Sequence, residues 1–66
     1  MTKTNKLNEI IENKINGNLS DFRQAIKKLT KLDILRLIEI AQGQYGILRH
    51  EMSIAIQLIL EGGNHD

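Results

Sequence analysis

An all-α fold is what this sequence predicts: a small bundle of three to four helices, paired as a homodimer through its C-terminal helix. Three observations lead there. The 66 residues include eleven Ile and nine Leu but no Val and no Pro, and no stretch alternates apolar and polar residues as a half-buried strand would. Apolar residues instead recur three and four positions apart, and the pattern is punctuated at Gly17, Thr30 and Gly43 to Gly46 by residues that cap or turn helices. The final segment, moreover, has apolar residues around nearly its whole circumference, more than a chain this short can enclose. One helical domain is expected over 1–61, with a frayed tail over 62–66.

The first helix is expected from about Thr4 to Asn16, with Leu7, Ile10, Ile11 and Ile15 on one stripe and Lys6, Asn8, Glu9, Glu12 and Asn13 facing away. Gly17 stands where a left-handed C-terminal cap belongs, and Asn18 or Ser20 can cap the next helix. That second helix, about Leu19 to Leu29, turns Phe22, Ala25, Ile26 and Leu29 one way and Arg23, Lys27 and Lys28 the other. Thr30 with Asp33 three residues on forms a variant capping box, and Leu29 with Ile34 forms its hydrophobic staple, so a helix start is expected at Thr30 rather than one continuous helix.

Helix three, Lys31 to about Gln42, is apolar over most of its surface through Leu32, Ile34, Leu35, Leu37, Ile38, Ile40 and Ala41. Asp33, Arg36 and Glu39 make its polar strip, spaced so that Arg36 can pair with either acid. The two glycines at 43 and 46 favour a break or sharp kink. Against that, Ile38, Ala41, Tyr45, Leu48, Met52, Ala55 and Ile59 form an unbroken heptad seam that one long helix would also satisfy. The last helix then runs to about Glu61, with Tyr45, Leu48, Met52, Ala55, Ile56 and Ile59 on one face and Ile47, Ile54 and Leu58 roughly opposite. Two apolar faces need two partners. Association is therefore expected, as a homodimer or higher even oligomer, with Tyr45, Ile47, Leu48, Met52, Ile54, Ala55, Leu58 and Ile59 at the interface.

Composition excludes several classes of function. Nine Lys/Arg against eight Asp/Glu leave a net charge of +1, so the chain is neither a polycation nor an acidic mimic. Without a single cysteine there is no disulfide, no thiolate metal site and no thiol nucleophile. His50 and Glu51 begin like a zinc-protease signature, but Ile54 occupies the position of the second His. Ser20 and Ser53 lie outside any nucleophile elbow, and the Gly43/Gly46 pair lacks the strand and lysine of a phosphate loop. No catalytic, metal or cofactor residue is nominated, and an enzyme is not expected. The longest nearly apolar run, Met52 to Leu60, is far shorter than the about 20 residues a bilayer span needs. With no secretory stretch after Met1, a cytoplasmic protein without membrane contact is expected.

The leading functional expectation is thus a non-enzymatic dimeric regulatory module that docks on a protein partner, with helices one and two as its outer surface. Its Ile-, Lys- and Asn-rich composition fits an AT-rich coding sequence of phage, plasmid or other mobile-element origin. The alternative is a nucleic-acid-binding regulator using Arg23, Lys27, Lys28, Lys31 and Arg36. The four-residue steps from Arg23 to Lys31 would align as a ridge if helices two and three were continuous, although no aromatic residue interleaves them. A helix-turn-helix alignment would place Ala25 at the small position and Leu35 and Ile38 in the core.

Overall fold

The computed structural model describes residues 3–62, which form four helices: α1 (Lys3–Ile15), α2 (Leu19–Lys28), α3 (Lys31–Tyr45) and α4 (Arg49–Gly62). No strand occurs among the described residues. The expected tail lies outside them from residue 63 onward, and Gly62 is the last residue of α4.

The ends of the helices follow from local chemistry. After α1, Gly17 takes a left-handed φ of 84°. The Gly17 N–H donates to the Lys14 carbonyl at 3.3 Å and the Asn18 N–H to the Asn13 carbonyl at 2.8 Å, the paired bonds that close a helix around a glycine. Of the two possible caps for α2, the N-cap position falls to Asn18, whose side chain makes no capping hydrogen bond. Between α2 and α3 the chain is extended at both Leu29 (ψ 148°) and Thr30 (ψ 166°). Thr30 Oγ1 accepts from the Asp33 N–H at 3.2 Å, so the Thr30 cap starts α3 where the sequence places it.

Two details of α3 correct the sequence reading. Asp33 does not belong to the outer polar strip with Arg36 and Glu39; it is buried at the third position of the helix, in the first turn where the helix dipole favours an acid. The helix also continues three residues past Gln42. Gly43 is an ordinary helical residue, and the break falls on Gly46 alone, at a φ of 69°. There the Ala41 carbonyl accepts from the N–H of Gly46 and, at 3.0 Å, from that of Ile47. The expected break is therefore present, at the second of the two glycines, and it cuts the heptad seam at Leu48, which is left exposed.

The packing is cyclic: α1 and α4 each lie between α2 and α3, so that consecutive α2 and α3 are not each other's main neighbours. The core draws on all four helices through Leu7, Ile10 and Ile11, Phe22 and Ile26, Leu37, Ile38 and Ala41, and Met52 and Ile56. The Cα radius of gyration is 11.0 Å, matching the roughly 11 Å of a compact chain this long. The stripe of α1 ends earlier than its spacing suggests, because Ile15 stands at the helix end where Gly17 turns the chain away, and it is exposed.

Candidate interaction surface

The C-terminal helix has two unlike sides. Met52 and Ile56 are buried in the shared core against the neighbouring α2 and α3, and Ala55 and Ile59 are partly buried beside them. On the far side Ile54 is 43% exposed and Leu58 65% exposed. A helix of 100° per residue puts Glu51, Ile54 and Leu58, spaced three and four apart, on this one outward stripe.

The eight residues nominated for an interface therefore divide three ways. Met52 lies wholly within the core of its own chain. Leu48, Ile54 and Leu58 face outward. Tyr45, Ile47, Ala55 and Ile59 are partly buried between these extremes. Tyr45 has a partner of its own, for its hydroxyl donates to Glu12 Oε2 at 3.2 Å, tying the end of α3 to α1. Partial burial, the hydrogen bond to Glu12 and the nearby carboxylate charge together raise the Tyr45 pKa above the usual tyrosine value.

Two apolar grooves flank α4. The one toward α2, about 270 Å³, is lined by Leu19, Phe22, Ala55, Leu58 and Ile59, with Lys14 and Arg23 supplying its charge. The one toward α3, about 400 Å³, runs between Ile34, Leu35 and Ile38 on one wall and Ile56, Gln57 and Leu60 on the other, with Ser53 and Glu61 at its edge. Their outer lips are leucines: Leu19 is 60% exposed, Leu35 51% and Leu60 42%. Leu32, one turn before Leu35, is exposed as well. A smaller groove of about 240 Å³ between α1 and α2 is more polar, lined by Lys6, Asp21, Gln24 and Lys28 along with Ala25 and Leu29.

Sequence reasoning found Ile54 and Leu58 but missed Leu19, Leu35, Leu60 and Lys14. Leu19 shares the stripe of Phe22, yet as the first residue of α2 it has no preceding turn to shelter it. Leu35 belongs by period to an enclosed helix, and only the position of α4 shows which side of α3 stays open. The Glu12–Tyr45 bond spans 33 positions and has no local signal.

The five nominated cations, Arg23, Lys27, Lys28, Lys31 and Arg36, are all exposed. Their alignment is not the straight ridge that continuous helices would give, because the extended residues Leu29 and Thr30 separate Lys27 from Lys31. Leu35, which a helix-turn-helix alignment needs inside, is half exposed. His50 is exposed, and no group of three His, Cys, Asp or Glu residues able to hold a metal occurs among the described residues. None of the helices described is long and apolar enough to cross a membrane. No protein family, curated protein or solved structure matches the chain.

Proposed function

We propose that this chain is a non-enzymatic helical interaction protein that associates with itself and docks on a protein partner, in a regulatory role, through the apolar surface on either side of α4. The observation that carries this reading is the contrast within α4, where Met52 is fully enclosed while Leu58 is 65% exposed and faces a groove with Leu19. Contiguous apolar surface around an otherwise satisfied core marks a contact site. The groove between α3 and α4 is the wider of the two and suits an apolar helix face of a partner, with Leu35 and Leu60 as the lips that would grip it. This moves the docking surface from helices one and two, whose stripes turn inward, to helices three and four.

Sedimentation equilibrium over a wide concentration range tests self-association. Ile54→Asp should weaken it by about 2 kcal/mol or more, because a carboxylate would be buried without a partner. A wild-type chain that stays monomeric, or an Ile54→Asp variant that associates as well as wild type, removes that half of the reading. Capture from the source cells with wild type and with Leu60→Asp tests the other half, since a partner held in the α3/α4 groove should be lost with the variant.

A second reading, nucleic-acid binding, is favoured by the exposure of Arg23, Lys27, Lys28, Lys31 and Arg36 around the α2–α3 bend. Such binding would fall steeply with salt as counterions are released, and Lys27→Glu with Lys28→Glu would abolish it. Absence of binding to duplex DNA and structured RNA at about 50 mM salt removes this reading.

A further inference from the structure

We propose that the groove between α2 and α4 is filled by a second copy of this chain, with the two α4 helices antiparallel and the two-fold axis passing beside Ile54. The inference rests on the self-associating reading above and adds the orientation of the pair. Along the outward stripe of α4, Glu51 marks the N-terminal half, while Leu58 in the C-terminal half shares its groove with the cations Lys14 and Arg23. Glu61, one turn beyond Leu58 on the same stripe, accepts a hydrogen bond from Gln57 and is carried by the same axis to the level of Ile47 in the other copy. The seven residue steps from Glu51 to Leu58 rise about 10 Å, with Ile54 near the midpoint. A two-fold axis at that midpoint lays Ile54 on Ile54 of the other copy. It also carries Glu51 of each chain over Leu58 of the other, beside the Lys14 and Arg23 that flank it. One apolar contact on the axis and two symmetric ionic contacts at the edges result. This is the arrangement a self-complementary patch requires.

A parallel pair would instead stack Glu51 on its own counterpart and the cations on theirs, a juxtaposition of like charges. An acidic helix from an unrelated protein would satisfy Lys14 and Arg23 but would meet Glu51 as a like charge. The α3/α4 groove, whose only charged residue is Glu61, has no such polarity along its length. The patch is small, so the dimer is weak and concentration-dependent rather than obligate.

Because the chain contains no cysteine, single introduced thiols report the geometry without interference. Under mild oxidation Ile54→Cys should give a disulfide-linked dimer. Glu51→Cys and Leu58→Cys should each stay unlinked alone, since an antiparallel pair holds identical residues about 10 Å apart, beyond disulfide reach, but the two mixed together should link. Leu32→Cys, exposed on α3, should remain unlinked as a control. All four positions are exposed, so circular dichroism should match wild type.

Independently, Glu51→Lys alone and Lys14→Glu with Arg23→Glu should each raise the dimer dissociation constant roughly tenfold. An equimolar mixture of those two variants should restore it, because every ionic contact is then favourable. Self-linking of both Glu51→Cys and Leu58→Cys overturns the antiparallel arrangement. A wild-type dimer with no linking at Ile54, or with linking at Leu32, overturns the choice of face. A wild-type chain monomeric throughout overturns the inference together with the self-associating reading beneath it.

Discussion

Helices α2 and α4 present opposite solutions to the same problem. α2 is sharply two-sided: Phe22 and Ile26 are enclosed, Ala25 and Leu29 flank them, and Arg23, Gln24, Lys27 and Lys28 face water. Beyond its exposed first residue, Leu19, the fold satisfies it completely. α4 encloses Met52 and Ile56 no less well, yet carries Ile54, Leu58 and Leu60 outside. The difference lies in the number of apolar faces each helix carries, because the number of neighbours is the same. Four short helices packed in a ring give each helix two neighbours and one inward face, so a helix with apolar residues on further faces must leave them exposed. The outer face of α2 is therefore polar, while that of α4 is largely apolar.

The largest expected effect comes from breaking the satisfied helix. Phe22→Ala should cost about 3–5 kcal/mol, comparable to the whole stability expected of a domain this small, whereas Leu58→Ala should change monomer stability by no more than about 0.5 kcal/mol while weakening association. Urea titrations at low protein concentration, followed by circular dichroism, check the pair. Equal costs at the two sites would mean that Leu58 packs inside.

The two glycines sharpen the comparison at the junction before α4. Neither would bring an added Cβ within 4 Å of a neighbour, so backbone conformation alone separates them. Gly46→Ala should destabilise by about 1–2 kcal/mol, the strain of a left-handed alanine. Gly43→Ala should instead stabilise by about 1 kcal/mol, because that glycine sits in a regular helix. Thermal melts giving the same sign for both would contradict a helix end at Gly46. At the other junction, Thr30→Ala should cost about 1 kcal/mol through loss of the bond to the Asp33 N–H, and Thr30→Ser should restore most of it.

The smallest effect is electrostatic. Because the folded protein holds the Tyr45 proton more tightly than the unfolded chain does, the stability from this group is fully present below pH 10.0, the ordinary tyrosine value, and is lost as pH rises through the raised folded pKa. Melting temperatures across the alkaline range should therefore fall more steeply for wild type than for Tyr45→Phe. Parallel curves would show that the contact with Glu12 has no energetic weight.

Much of the architecture was legible from short-range chemistry. Gly17, Thr30 with Asp33, and the stripe of Phe22, Ala25, Ile26 and Leu29 all appear where local spacing puts them, because caps and amphipathic stripes involve residues within a turn or two of each other. The surface around α4 was legible only in part. That Ile54 and Leu58 oppose Met52 is a matter of helical angle, but that Leu19 and Lys14 join them across a groove depends on the placement of α2 and the end of α1. Asp33 shows the limit from the other side: its spacing with Arg36 and Glu39 suggests a surface strip, and the packing of the first turn of α3 buries it instead.

By itself, then, the sequence determined four amphipathic segments, three junctions between them, and an excess of apolar side chains in the last. These are consequences of residue type and of the 3.6-residue repeat, which act over a few positions. Only the tertiary structure decided which glycine breaks the helix at 43–46, which residues face outward on α3, and that α4 is flanked by one groove bearing cations and another bearing a single acid. Those outcomes depend on which helices become neighbours when one shared core closes, and no local spacing records that choice.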